Sequence, residues 1–442
     1  MNKRPAVSIV LFIVVVQVLL ALGLYVHRAM LLGEVKSAKK DSAILRLRVE
    51  RGREEVVIRR RVEDIRKLHF KWHVPSRVMK REDIKGYVLK KLAETYSEKE
   101  IKGYELSLKL FGAISEHEDI GNLLTSIYES QAGGFYDYHT KILYRIAGSP
   151  LRKAILAHEY THALQDQQFG MSNLPLEIKE NDDRALAALS VVEGDAMLVT
   201  SDFILRYPDM ETVLGTVSSA ADATSTEVLR KAPAFIREII QFPYLKGTAF
   251  ADLIRTHGGW EAMNALYERP PASTEQILHP EKYIGEMRDD PQSVEVAITL
   301  ARLQEVSPEA WERVHHNVMG EYAVYVLLRA RASRENAAVA SHGWDGDRYA
   351  TYAAGDKAVL SWTTVWDSVA DAKEFLVCMS FALEAELGVD TASEALPTGA
   401  AWIHEDMCAA ISQADTTVHL LKSREVATLR ALLPYLGMEG GG

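Results

Sequence analysis

The sequence predicts an α+β protein that is mostly helical, and three features carry that reading. Apolar residues recur at helical spacing from Asp182 to about Leu328. A turn-punctuated segment with alternating apolar residues, "AGGFYDYHTKILYRIAGSP", predicts a hairpin between helical stretches. "GWDGDRYATYAAGDKAVLSWTTVWDS" predicts two further strands around Gly355-Asp356, then a helix from about Ser368 with Asp371 completing its cap. With 442 residues, and charged and apolar fractions near the globular average, the chain is expected to hold two or three packed units.

In chain order, the first element is an uncharged run from Ala6 to Val26, long enough to cross a bilayer as a helix. Its length and the lack of a convincing cleavage site favour an uncleaved transmembrane anchor over 1–27, against cleavage near Ala21 to Gly23. Lys3 and Arg4 favour a cytoplasmic N-terminus, although Arg28, Lys36, Lys39 and Lys40 on the other flank work against it. The expectation is a single-pass membrane protein whose bulk is periplasmic or extracellular. Residues 28–69 are rich in both charges, with Ile58, Val62, Ile65 and Leu68 at helical spacing, and predict a juxtamembrane helix or stalk.

A short strand and two helices are expected after Trp72, followed by the hairpin and then a helix containing "AILAHEYTHALQDQQF". These belong to a predicted catalytic domain over 70–200. Helices then dominate a second region, 201–331, interrupted by "FPYLKG", "HGGW" and "RPPASTEQILHPEKY". A composition change from Ala332 to His342 reads as a linker, and 341–432 as a small α/β domain. The two cysteines, Cys378 and Cys408, allow one disulfide but fit two buried free thiols better. A net charge of -10 and a pI near 5.8 disfavour nucleic acid as the main partner, and none is expected. No signal for an oligomeric state is present.

The chemistry concentrates in "HEYTH". Positions four apart share a helix face, so His158 and His162 can aim ring nitrogens at one metal ion, and zinc suits that geometry. Glu159 points where it can reach a metal-bound water without ligating, as a general base does. H-E-x-x-H also arises by chance, but the apolar Ile155, Leu156, Ala157, Ala163 and Leu164 make an unpartnered His-Glu-His set costly here. Catalytic zinc wants a third protein ligand. Position 168 is Gln, which rules out a three-histidine set of the H-E-x-x-H-x-x-G-x-x-H kind. Glu193, in the small-residue run "DDRALAALSVVEGDAMLVTSDF", is the expected third ligand, suited to packing closely beside the first helix. Asp195 is the alternative, or else a partner that orients a histidine. No second apolar run reaches bilayer length, which excludes an intramembrane protease.

"HEYTHALQD" resembles the active-site helix of gluzincin metallopeptidases of the thermolysin-like kind. More narrowly, the blocks "GGFYD", "HEYTHALQDQQF", "VEGDA", "FPYLKG", "PPASTEQILHPEKY" and "GWDGDRY" are similar to an uncharacterised family of bacterial and archaeal metallopeptidases over roughly 70–375. Asp166 stands where gluzincins carry an aspartate after the second histidine, and so is implied to support the ligands. The chain departs from thermolysin in a longer His162 to Glu193 spacing and in lacking its N-E-x-x-x-D pattern. The resemblance implies one zinc per chain, peptide or protein substrates, and attack on a peptide carbonyl by a water that Glu159 activates. His279 and Tyr283 are candidate oxyanion donors, although Ser273, Gln276 and His279-Pro280 also read simply as the cap and end of a short helix. By analogy, a strand at Ile142, Leu143 and Tyr144, or the one at Phe135, is expected to pair with an extended substrate. The competing reading is an inactive, peptidase-like envelope protein that binds peptides or protein partners. "HGGW" and "GWDGDRY" read as tight turns beside an aromatic, and Asp345 and Asp347 lack the companions that a calcium loop needs.

Overall fold

A computed structural model describes residues 36–37, 39–40, 52–131, 133–147, 153–208, 227–285, 288–405 and 407–436. The anchor predicted over 1–27 lies outside them, and among the described residues no helix is long and apolar enough to cross a membrane. The chain divides into two compact units, 1–61 and 62–442. The described residues of the first unit are almost all helical, and the second begins with helical residues 62–66, where Val62 and Ile65 are buried as their spacing predicts.

The second unit opens with β1 (Ser76–Met79), α1 (Arg81–Thr95), α2 (Glu98–Leu110), α3 (Ile120–Gln131), β2 (Gly134–Asp137) and β3 (Ile142–Ile146). Ser97 and Glu100 close a capping box at the start of α2. The expected hairpin forms: β2 pairs antiparallel with β3, and β1 joins β3 in parallel, giving the order β1-β3-β2. α4 (Lys153–Phe169) and α5 (Asp182–Arg206) carry the motif residues, and the boundary expected at residue 200 falls inside α5. Next come α6 (Glu227–Lys231), α7 (Ala234–Glu268), α8 (Thr274–Leu278), α9 (Glu281–Ile284) and α10 (Leu300–Val306).

"FPYLKG" does not interrupt the helices as expected. Pro243 lies within α7, where burial of Phe242, Pro243 and Gly247 overrides the weak helix propensity of the segment. "HGGW" does break the helix: Gly258 and Gly259 are non-helical, and Gly259 has φ +65°, which glycine adopts without strain.

The remainder is β4 (Glu312–Asn317), α11 (Gly320–Arg329), α12 (Arg334–Ser341), β5 (Trp344–Ala354), β6 (Lys357–Trp366), α13 (Val369–Leu387), β7 (Glu394–Leu396), β8 (Gly399–Trp402), β9 (Cys408–Ala414), β10 (Thr417–Ser423) and α14 (Val426–Leu432). The linker expected at 332–342 is in fact α12, capped by Ser333 and buried through Ala337 and Ala340; its small residues serve packing. The C-terminal part is a seven-stranded antiparallel sheet, β4-β5-β6-β10-β9-β8-β7, that begins before residue 331. It is therefore α+β rather than α/β. Ser368 caps α13 through the Asp371 N–H, and both cysteines are buried free thiols.

One hydrophobic core runs from Leu108 through α5, α7 and α11 to Leu420, so the three regions expected over 70–432 share it. Asp347 ties sheet to helices: its carboxylate accepts from the N–H groups of Met319 (2.9 Å) and Gly320 (2.8 Å) and from the indoles of Trp344 (3.1 Å) and Trp362 (2.9 Å).

Candidate metal centre

α4 is buried on nearly every side, which its sequence disguises because Thr161, Gln165, Asp166 and Gln167 are buried along with the apolar residues. Each buried polar group has a partner. Thr161 donates to the Ala157 carbonyl, and Gln167 accepts from the Lys71 and Trp72 N–H groups while donating to the Trp72 carbonyl. α5 lies against α4 and brings Glu193 to the two histidines. His158 Nε2 and His162 Nε2 are 3.1 Å apart, and Glu193 Oε2 stands 3.2 Å from the first and 3.5 Å from the second. Glu193 Oε2 is buried and makes no hydrogen bond.

The surroundings fix both ring tautomers. The Gln165 amide nitrogen donates to the Val192 carbonyl (3.0 Å) and to Asp195 (3.2 Å), so its oxygen must face His162 Nδ1, 2.9 Å away. His162 Nδ1 therefore carries the hydrogen, and Nε2 presents a lone pair. At His158, the Thr200 hydroxyl donates to the Ala196 carbonyl and is left to accept from Nδ1 at 3.4 Å. Two imidazole lone pairs and a carboxylate oxygen thus converge, an arrangement that repels itself unless a cation sits among them. Two neutral imidazoles and one carboxylate form a His₂Glu donor set that fits zinc.

In the metal-free protein the cation is a proton. Burial opposes charge on His162, but the negative charges of Glu193 and Glu159 outweigh it and push the pKa up to about 9. Burial likewise opposes ionisation of Glu193, yet the two histidines hold its carboxyl well below the usual range. Because the folded pKa of His162 lies above its unfolded value, the stabilisation this pair gives the metal-free fold is full below about pH 6.5 and is lost as pH rises through about 9. A zinc ion held by these three residues would have to displace that proton. Calorimetric zinc binding near pH 7 is expected to release about one proton, seen as a dependence of the observed enthalpy on buffer ionisation enthalpy. An enthalpy independent of buffer would contradict this assignment.

Glu159 stands beside the cluster but outside it. It is 9% exposed, its Oε2 accepts from the Tyr136 N–H on β2 at 2.8 Å, and burial raises its pKa against the opposing charges of His158 and His162.

Several expected roles are corrected. Asp166 touches no histidine; it accepts from the Tyr136 hydroxyl and Lys141 Nζ, both at 2.8 Å, and so anchors the hairpin to α4. Asp195 is no alternative ligand, because Arg66, Tyr267 and Gln165 occupy its oxygens. His279 pairs with Glu321 at 2.9 Å, next to Gly320, which lies against Asp183; that end of α5 is about 15 Å along the helix from Glu193. Tyr283 donates to the Arg269 carbonyl. Neither His279 nor Tyr283 is placed to serve the histidine pair. Ile142, Leu143 and Tyr144 lie on β3, the middle strand, whose two edges are already paired with β1 and β2; β2, containing Phe135, is one of the two edge strands. α5 packs beside α4 as expected, with the Val192 carbonyl accepting from Gln165, and its small residues also allow close contact with α7, where Gly194 abuts Gly247.

The residue missed by sequence reasoning is Tyr244. It is 39% exposed, and the charge of Glu193, with a smaller effect of Glu159, raises its pKa well above the usual phenol value. It lies inside "FPYLKG", directly after Pro243 within α7. A second acidic group, Glu275, Asp289 and Asp367, already encloses a cation: Lys282 Nζ lies 2.6, 2.9 and 2.8 Å from them.

Residues 305–433 match a domain of unknown function, DUF8575. This segment contains the whole seven-stranded sheet and excludes His158, Glu159, His162 and Glu193. No curated protein matches the chain significantly. Among solved structures, a Chloroflexus aurantiacus protein described as "a putative hydrolase with a novel fold" is similar at 19% identity and a TM-score of 0.37, over 53% of this chain and 88% of its own.

Proposed function

We propose that this chain is a membrane-anchored zinc metallopeptidase of the gluzincin kind, hydrolysing peptide bonds in peptide or protein substrates outside the cytoplasm. The observation that carries the reading is the convergence of His158 Nε2, His162 Nε2 and the unpartnered Glu193 Oε2, with Glu159 beside them and outside the ligand set. When bound, zinc supplies Lewis acidity that acidifies a water and polarises a carbonyl. Glu159, oriented by the Tyr136 N–H, takes the water proton on a carboxylate oxygen and delivers it to the departing amine. The Tyr244 hydroxyl, rather than His279 or Tyr283, is the donor for the developing oxyanion. The edge strand β2, which abuts α4 through the same Tyr136 N–H, offers its free edge to an extended substrate. The uncharged run over 6–26 supplies the anchor.

The test is hydrolysis of an unfolded protein substrate such as casein by the full chain. Activity should be lost to a zinc chelator and restored by zinc. Tyr244→Phe should lower kcat about 10²- to 10³-fold with zinc content unchanged. Proteolysis indifferent to chelation, or no proteolysis by zinc-loaded protein, would sink the reading.

A further inference from the structure

Arg66 is 1% exposed, in the last helical turn before the segment leading to β1, far in sequence from every motif residue. Its Nε donates to both oxygens of Asp195, at 2.8 and 3.1 Å, and Tyr267 donates to the same carboxylate at 2.7 Å. Asp195 in turn accepts from Gln165, whose oxygen faces His162 Nδ1. Arg66 Nη1 and Nη2 make no hydrogen bond; instead the guanidinium lies over the Trp260 ring, 4.5 Å from its centroid, with Phe169 5.9 Å away on α4. Trp260 reaches that position because the helix breaks at Gly258 and Gly259. The "HGGW" motif is thus accounted for as the device that seats the arginine.

We infer that Arg66 is a positioning residue for the metal centre, holding His162 in the metal-binding tautomer through Asp195 and Gln165, with Trp260 clamping the guanidinium. This rests on the zinc reading above. An amide side chain can present either its oxygen or its nitrogen to His162 Nδ1, and only the first leaves Nε2 free to bind a metal. The Val192 carbonyl and Asp195 make the choice together by accepting from the Gln165 nitrogen, at 3.0 and 3.2 Å, and Asp195 holds its share only while its carboxylate is pinned. Arg66 and Tyr267 pin it, with Arg66 the only cation among its hydrogen-bond partners in the described residues. Without Arg66 the carboxylate keeps only the Tyr267 hydroxyl as an anchor, its hold on the Gln165 nitrogen loosens, and the amide is kept from turning over by the Val192 carbonyl alone, so His162 directs an N–H at the metal position in a larger share of molecules. The segment that joins the charged N-terminal region to the catalytic fold is in this way part of the zinc site's support.

The experiment measures zinc affinity of the full chain by chelator competition, together with the d–d absorption spectrum of the cobalt-loaded form, which reports ligand geometry. Arg66→Met and Gln165→Leu are each expected to weaken zinc about 10- to 100-fold and to alter the cobalt spectrum. The double variant should be little worse than either single one, because both break one chain of contacts. Arg66→Lys, which keeps a charge beside Asp195, should recover part of the affinity. Lys422→Met, which disturbs an equally buried cation paired with Glu386 in the C-terminal sheet, is the control for general destabilisation and should leave zinc affinity and spectrum unchanged. Wild-type zinc affinity in Arg66→Met, or an equal loss in Lys422→Met, would overturn the inference alone. A wild type that binds no zinc would overturn the metal reading and this inference with it.

Discussion

Glu159→Gln is expected to lower peptide turnover about 10²- to 10⁴-fold while zinc remains bound. The substitution is nearly isosteric, and the amide oxygen can still accept from the Tyr136 N–H, so the β2 edge keeps its place beside α4. The amide cannot take a proton, so the water loses its base. The fold should not suffer, because burial already disfavours the charged carboxylate and its neutral replacement removes that cost. The check is kcat measured beside zinc content and unfolding midpoint. Loss of zinc in the variant would make Glu159 a ligand, and unchanged turnover would remove it from the chemistry.

Gly247→Ala is expected to destabilise the fold by about 1–3 kcal/mol and to weaken zinc binding in parallel. A Cβ at this position would meet the backbone of α5 at Ser190, with the Ser190 Cα at 2.9 Å, while Gly194 abuts Gly247 from the other helix. Backbone cannot swing aside as a side chain can, so α5 and α7 must separate. Glu193 stands within one turn of Ser190 on the face that meets the histidines, and Tyr244 within one turn of Gly247, so the separation would reach the proposed ligand and the proposed oxyanion donor together. Denaturant unfolding and chelator competition on the same preparation test this. A variant with the wild-type midpoint and zinc affinity would show that the crossing has slack.

The sequence carried the local features well. Histidines four apart on a helix, a hairpin punctuated by Gly133-Gly134 and the Ser368 cap are all set by short-range geometry, and the structure contains them. That Glu193 would lie beside the two histidines was legible because a zinc site lacking a third histidine would need an acid, and few acids occur in apolar helical runs. What stayed hidden depends on long-range packing. Nothing near Arg66 signals that it will meet Asp195, 129 positions away. Pro243 predicts a break where burial keeps a helix, and only that continuous helix carries Tyr244 toward Glu193. His279 and Tyr283 looked like donors from their chemistry alone, but Glu321 and the Arg269 carbonyl engage them elsewhere. The small residues of 332–342 read as a linker because composition does not distinguish a flexible segment from a helix face that packs through alanines. The C-terminal sheet was underestimated because β4 lies in a region dominated by helices, and only pairing with β5 makes it a strand.

The most direct test of the central claim is metal analysis of the full chain, purified without chelator and offered zinc, alongside a His158→Ala, His162→Ala double variant. The His₂Glu convergence predicts one zinc per wild-type chain and none held by the double variant. A wild type that takes up no zinc, or a double variant that retains it, would contradict the account.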